Sequence, residues 1–249
     1  SSDLANTGTQ NGTQAEPFVT IGQAVDAAIA GKRNLIHVLP GAYYERLVLP
    51  AYTTIHGEEG IYHTRILAPD GVAEALVRLS DGCIVEGVTL SGGMVGCSVE
   101  GLDAIVRNTV FNGCSIGLLV GNGATAAVVN AVFHENGTGV ESSSDGLLDD
   151  LRNTIFAGNG VAVSVANETV RAGGYNCYYA NGTRFGNASV LLPGDFIAEP
   201  GFVVPEELNF HLRLDSPCRD GGDPSIDWND RDGSRNDVGP DGGPDGRRD

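Results

Sequence analysis

The sequence predicts an all-β fold: a single-stranded right-handed parallel β-helix (a solenoid) with an N-terminal capping helix. The 249 residues include 36 glycines without a collagen period, which favours many short strands joined by tight turns. One block of sequence recurs between residues 85 and 182 at intervals of 21, 22, 23 and 23 residues. A shorter block that begins with glycine follows most copies of the first. Together these repeats predict about seven to nine coils.

The strands of each repeat are too short to pair within one repeat. They contain three to five residues, so they must pair with the neighbouring coils, at a spacing of about 4.8 Å. Residues one repeat apart then stack into columns. One predicted interior column is Leu90, Phe111, Phe133, Phe156 and Tyr179. A second, of small residues, is Val88, Thr109, Ala131, Thr154 and Cys177.

The residues between these two columns should face outward because side chains alternate along a strand. This strip is Thr89, Val110, Val132, Ile155 and Tyr178. An outward apolar strip indicates a covered face, a partner surface or a wrong phase. A further column of turn residues predicts a ladder in which each amide bonds its copy on the next coil. The ladder residues are Gly87, Asn108, Asn130, Asn153 and Asn176.

The two ends of the chain differ in composition from the coil. Residues 1–18 are predicted to be extended, and residues 19–32 to form a helix that caps the coil, with Thr20 as N-cap and Gly31 as its stop. The coil should span residues 33–214. Residues 215–249 are rich in aspartate and glycine and predict a loop-rich cap or a solvated tail. The start of the chain lacks a charged and apolar leader, which predicts a mature or trimmed chain.

Charge and cysteine content narrow the classes of partner. The formal charge of −17 disfavours nucleic acid and anionic membrane surfaces, and no apolar run reaches the length of a membrane span. Five cysteines cannot all pair within the chain, and a single disulfide cannot be placed from the sequence. A monomer or weak oligomer is expected.

Two segments resemble a known group of proteins. Residues 17–28, with the Pro40-Gly41-Ala-Tyr-Tyr-Glu-Arg-Leu-Val-Leu segment, resemble the start of secreted bacterial right-handed parallel β-helix proteins of the pectin-lyase-like superfamily. The Ser216-Pro-Cys-Arg-Asp-Gly-Gly-Asp-Pro segment resembles their closing segment. The resemblance implies an extracellular or cell-surface location. It implies no one activity, because the superfamily contains lyases, methylesterases, polygalacturonases, epimerases, tailspikes and proteins without known chemistry.

The candidate catalytic residues are few. Asp149 and Asp150 resemble the carboxylate pair of polygalacturonases, but the histidine-glycine and arginine-x-lysine motifs of that family are absent, as are the methylesterase signatures. Consecutive strand residues face opposite ways, so a solvated turn is the favoured interpretation of this pair. His134 beside Glu135 is a further candidate base, against the alternative of surface decoration.

Binding and metal residues are also predicted. Glu86, Arg107, Arg152 and Tyr175 lie in one outward column, which either stabilises the stack by charge pairing or binds an acidic sugar chain. Tyr175, Tyr178 and Trp228 are the candidate aromatic platforms. A cluster of carboxylates near the C-terminus predicts structural calcium, against the alternative of an acidic tail neutralised by its own arginines. These residues are Asp220, Asp223, Asp227, Asp230, Asp232 and Asp237.

The leading functional hypothesis is an extracellular or cell-surface scaffold that binds polysaccharide or a surface partner without a catalytic centre. The alternative is a carbohydrate-active enzyme, a polysaccharide lyase, hydrolase or epimerase, with a divergent site on the outer face of the β-helix. An adhesion module of the phage type is a third possibility, which the apolar strip at Val110, Val132 and Ile155 supports.

Overall fold

A computed structural model describes residues 11–70, 74–121, 123–166, 170–187 and 192–246. It confirms the right-handed parallel β-helix, with three parallel sheets of seven, eight and seven strands. The strands of each sheet come from successive coils, so each coil contributes one strand to each sheet. Within the described residues one α-helix, Ile21–Ala27, precedes the coil, and no helix is long and apolar enough to cross a membrane.

Short strands make up the three sheets. Sheet A contains Asn34–Val38, Thr53–Gly57, Ile84–Glu86, Ala104–Arg107, Thr125–Val129, Leu147–Arg152 and Gly173–Gly174. Sheet B contains Gly41–Tyr43, Thr64–Leu67, Thr89–Ser91, Val110–Asn112, Val132–His134, Ile155–Ala157, Cys177–Tyr179 and Phe196–Ile197. Sheet C contains Leu47–Leu49, Ala75–Leu79, Val95–Val99, Ile116–Val120, Thr138–Ser142, Val161–Val165 and Thr183–Phe185.

The predicted stack of aromatic rings fills the coil. Phe111 and Phe133 stack with centroids 4.7 Å apart, and Phe156 continues the stack at 5.1 Å. The next ring, at 5.3 Å, is Tyr178, so the assignment of Tyr179 to the interior and of Tyr178 to the outside is wrong. The last coil repeats after 22 residues, because Leu151 pairs with Gly173. A Cβ at Gly173 would lie 2.0 Å from the Leu151 carbonyl oxygen, so only glycine fits this pairing.

The same one-residue shift changes three other columns. Cys177 pairs with Ile155 and therefore faces outward rather than into the coil. Gly174 pairs with Arg152, which removes Tyr175 from the outward column of Glu86 and Arg107. Tyr175 instead takes the left-handed turn position, with φ 58°, that the sequence assigned to Asn176.

The column of turn asparagines exists, but its amides do not bond one another. Asn108, Asn130 and Asn153 have φ between 44° and 51°, and their side chains contact the C-terminal part of the chain. We call them the strap-facing asparagines. A second column that the sequence analysis missed forms the true ladder. We call its members the ladder asparagines: Asn136, Asn159 and Asn181.

The N-terminal helix is shorter than predicted. Thr20 and Gln23 form a capping box, and Glu45 accepts hydrogen bonds from the first helical amides, Ile21 N and Gly22 N. The helix ends at Ala27 rather than near residue 32, because Ala28 is extended and the Asn34 side chain bonds the backbone of Ile29. Ile21 is buried against the first coils, as a cap requires.

The C-terminal part of the chain lies along the outside of the coil. We call residues 198–246 the strap. It includes an antiparallel hairpin, Phe202–Val204 with Asn209–Leu212, and two short 3-10 helices, Pro205–Glu207 and Ile226–Trp228.

The strap covers the outward apolar strip of sheet B. Val110, Val132 and Ile155 are fully buried in a cluster with Phe210 and Val238 of the strap. The strip is therefore a covered face, and the chain itself supplies the cover. This removes the observation that supported an adhesion module.

Candidate functional site

Asp149 and Asp150 lie within a strand, so their assignment to a turn is wrong. The pairing of this strand jumps from Ala126–Leu148 to Ala127–Asp150, which makes Asp149 the extra residue of a β-bulge. A bulge lets two consecutive side chains stay on the outer face. Each carboxylate binds its own arginine, Asp149 to Arg171 at 2.8 Å and Asp150 to Arg152 at 2.8 Å.

Arg152 is enclosed by the strap. Its guanidinium group also binds Asp223 at 2.5 Å, and its Cζ lies 4.4 Å from the centre of the Trp228 ring. Burial raises the pKa of Asp150 above its ordinary value, against the opposing effect of Arg152. Arg152 and Trp228 were both candidates for binding a sugar chain. In the structure they contact each other, and Arg152 also binds Asp223 of the strap.

His134 lies in the interface between sheet B and the strap. Its Nδ1 is 2.8 Å from Asn112 Oδ1, and its ring lies edge-on to Phe210 at 5.0 Å. Burial lowers the pKa of His134, although the charges of Glu135 and Glu206 act in the opposite direction. The ring therefore packs within the interface rather than as exposed decoration.

Tyr175 is also covered. The ring packs against Gly194, where a Cβ would lie only 2.4 Å from it. The Cζ atom of Arg235, in the strap, lies 5.9 Å from the centre of the ring. Of the four residues predicted to bind carbohydrate, the structure brings Glu86 and Arg107 together and places Arg152 and Tyr175 apart from them, beneath other side chains.

Glu86 and Arg107 line a cleft of about 220 Å3 between sheet A and the strap. Glu86 accepts from Arg107 Nε at 2.6 Å, and its other oxygen is 2.7 Å from His56 Nδ1. Asp245 of the strap binds the same guanidinium group at 2.7 Å. Two carboxylates thus share one arginine beside an imidazole.

The opposite wall of the cleft repeats the pairing of imidazole and carboxylate. His211 Nδ1 lies 2.7 Å from Asp241 Oδ1, and Asp241 is almost fully buried. Arg231 completes this wall. A carboxylate on one ring nitrogen fixes the orientation of an imidazole, an arrangement used in acid–base chemistry. Sequence analysis missed both histidines because they lie 155 residues apart along the chain.

Four of the six aspartates predicted to bind calcium, Asp223, Asp230, Asp232 and Asp237, have protein partners in the structure. Asp223 binds Arg152, while Asp237 accepts from Asp220 N and Asp230 accepts from Gly243 N. Asp232 accepts from Ser234, and Asp227 is exposed. Among the described residues no three histidine, cysteine, aspartate or glutamate side chains converge as a metal site would require. Structural calcium stays a prediction.

A shallow groove of about 580 Å3 crosses the outer face of sheet A in the first coils. Its floor is a row of residues that pair in register across neighbouring strands. These side chains face outward because the residues next to them along each strand face the interior. The row is Leu35, Thr54, Ile84 and Ile105. The rim carries Arg33, Asn34 and Asp103.

Tyr52 stands at this groove as an exposed aromatic ring. It has a left-handed backbone, with φ 62°, and 48% of its surface is accessible. Its ring lies over Gly82, where a Cβ would be 2.6 Å from Tyr52 Cδ1, so any larger residue at 82 would displace the ring. The sequence signal for this site was available: Ile84 and Ile105 precede Glu86 and Arg107 by two residues and share their outward phase.

No protein-family model matches the chain, and no curated protein is detectably similar to it. Among solved structures it is similar to a pectin methylesterase from Yersinia enterocolitica, with 14% identity, a TM-score of 0.49, and coverage of 75% of this chain and 68% of that one. It is also similar to a pectin methylesterase in complex with a hexasaccharide, with 13% identity, a TM-score of 0.36 and coverage of 72% and 73%. The three parallel sheets of the chain themselves establish the parallel β-helix. The likeness concerns the fold alone.

Proposed function

We propose that the protein is a non-catalytic β-helix scaffold, extracellular or on the cell surface, that binds a polysaccharide in the groove on sheet A. The observation that carries the proposal is the Tyr52 ring, exposed at the groove and fixed over Gly82. An immobile aromatic ring offers an apolar face at low entropic cost, and the C–H face of a sugar ring packs against such a surface.

The lining of the groove supports a saccharide as the occupant. Leu35, Ile84 and Ile105 give an apolar floor, while Arg33 and Asp103 on the rim supply donors and acceptors for hydroxyl groups. The formal charge of −17 favours a neutral or cationic glycan over a polyuronate, which the chain would repel.

The positions of the ionisable groups support binding without turnover. Asp103 is the one carboxylate among the described residues that line this groove. Glycoside hydrolysis ordinarily requires two carboxylates at a defined separation. The candidate catalytic residues Asp149, Asp150 and His134 lie elsewhere and already have partners.

A binding panel tests this proposal. We expect retention by neutral or amino-sugar polysaccharides in affinity electrophoresis, weaker retention by polygalacturonate, and about a tenfold loss of affinity in Tyr52→Ala. Tyr44→Ala is the matched control, because Tyr44 is a 66% exposed tyrosine outside the groove. Equal losses in the two variants, or no retention by any glycan, would contradict the proposal.

One observation favours the alternative of a carbohydrate-active enzyme. Glu86 and Asp245 converge on Arg107 in the cleft that also contains His56 and His211. Uronic-acid and neutral polymers should be incubated with the protein and assayed for unsaturated products, new reducing ends and changed sugar composition, with and without chelator. The scaffold proposal expects none of these products. Turnover that Glu86→Gln or Asp150→Ala abolishes would establish the enzyme instead.

A further inference from the structure

Two cysteines meet where the strap covers the coil. Cys177 begins the strand Cys177–Tyr179 of sheet B. It pairs with Ile155, whose side chain faces the strap, so the Cys177 side chain faces the strap as well. Cys218 belongs to the strap. Both are fully buried in the same apolar cluster, which also contains Val238 and Phe210.

The backbone of each cysteine is anchored on its own side of the interface. Cys177 N donates to Thr154 O at 2.9 Å, and Val238 N donates to Cys218 O at 2.8 Å. The Cys177 thiol also reaches Ala198 O at 3.2 Å. Two residues further on, Pro200 O accepts from Ser216 Oγ at 2.5 Å, and Ser216 Oγ accepts from Cys218 N at 3.1 Å. Both thiols are free in this structure, and docking of the strap places the two cysteines in one buried cluster at the interface.

We propose that Cys177 and Cys218 form a disulfide bond in an oxidising environment and so fasten the strap to the coil. A thiolate of one cysteine attacks a sulfur of a small-molecule disulfide such as oxidised glutathione and expels one glutathione thiolate. The second cysteine loses its proton, attacks the protein sulfur of this mixed disulfide and expels the second glutathione. The cysteines lose two electrons and two protons, and the oxidant gains them.

The surroundings of the pair determine when the bond can form. Donation from the Cys218 thiol to the Cys177 sulfur and burial both raise the pKa of Cys218, so thiolate is scarce once the strap has docked. Oxidation should therefore be fast during refolding and slow in the folded, reduced protein. Cys83 and Cys97 differ from this pair in position, because they lie in the core of the coil rather than at the interface with the strap. Burial raises the pKa of both.

Peptide mapping tests the pairing directly. Protein refolded with reduced and oxidised glutathione is alkylated under denaturing conditions and digested with trypsin without reduction. We expect peptide 172–184, which contains Cys177, joined to peptide 214–219, which contains Cys218, at the sum of their masses less two hydrogens. Reduction should separate them. Five alkylated cysteines, or a bond to any other cysteine, would overturn the proposal.

Variants separate the bond from a packing effect. The oxidised wild type should melt about 5–15 °C above its reduced form, because the bond closes a loop of roughly 40 residues in the unfolded chain. Cys218→Ser and Cys177→Ala should show no such dependence on oxidant, whereas the matched control Cys83→Ser should keep it. Loss of the oxidant-dependent shift in Cys83→Ser, or its persistence in Cys218→Ser, would overturn the assignment.

Discussion

The two columns of asparagine follow the same period but have different partners. In the ladder, Asn159 Oδ1 accepts from Asn136 N and Nδ2 at 3.0 Å, and Asn181 Oδ1 does the same for Asn159. Each ladder amide also donates to a carbonyl of an aromatic residue on the preceding coil, as Asn159 does to Phe133 O. The strap-facing asparagines use their amides differently: Asn130 Nδ2 contacts Asn236 Oδ1, Asp237 O and Gly239 O.

The difference shows that a repeat establishes stacking but not the partner of the stacked group. A residue that recurs once per coil can bond its own copies or present a row of identical donors to another segment. Here the ladder joins coil to coil, while the strap-facing row joins the coil to the strap. The first should govern stability of the whole coil and the second the attachment of the strap.

The largest effect is expected in the ladder. Asn159→Ala removes the acceptor that Asn136 N and Asn136 Nδ2 share and a donor to Phe133 O, all at buried positions. We expect the free energy of unfolding to fall by about 3–4 kcal/mol, because each unsatisfied buried group costs roughly 1–3 kcal/mol. Urea denaturation measures it, and a loss under 1 kcal/mol would contradict the role of the ladder.

A smaller and more local effect is expected in Asn130→Gly. Glycine keeps the left-handed backbone that φ 51° requires, so the variant removes the amide without strain. We expect a loss of about 1–2 kcal/mol, confined to strap opening, and roughly tenfold faster tryptic cleavage after Arg231 and Arg235. Hydrogen exchange of the coil strands should be unchanged. A loss equal to that of Asn159→Ala would abolish the distinction between the columns.

The smallest expected effect is a dependence of stability on pH, which arises from His134 in the interface between sheet B and the strap. Because burial lowers the pKa of His134 below 6.5, the unfolded chain takes up a proton more readily than the folded one. The contribution of neutral His134 to the free energy of unfolding is complete above pH 6.5, and it is lost as the pH falls toward the lowered pKa of the folded state. We expect the stability of the wild type relative to His134→Gln to decrease between pH 7.5 and pH 5, measured by urea denaturation. Parallel pH profiles would show that His134 does not titrate on unfolding.

The sequence predicted the interior of the coil well because identical neighbours stack there. Phe111, Phe133 and Phe156 occupy one column by period alone, and the structure confirms it. The period failed by one residue at Tyr178, because Gly173 pairs with Leu151 and a Cβ at Gly173 or Gly174 would meet a backbone carbonyl. Residues 1–10 of the predicted extended segment lie outside the described residues.

The candidate sites were less accessible to sequence reasoning because they depend on distant segments. Arg152 looked available until the strap placed Asp223 and Trp228 on it. The cleft joins His56 to His211, and no local pattern links them. Tyr52 was overlooked because its role depends on the left-handed turn that places its ring over Gly82.

The repeat length and the alternation of side chains by themselves determined a parallel coil, its aromatic core and an outward apolar strip, because these follow from the geometry of a strand and its nearest neighbours. Only the tertiary structure decided what covers that strip, which asparagines form the ladder and which faces stay open. The cover of the strip and the partners of the strap-facing asparagines depend on how residues 198–246 return along the coil, and contacts between segments so far apart in the chain leave no periodic signal in the sequence.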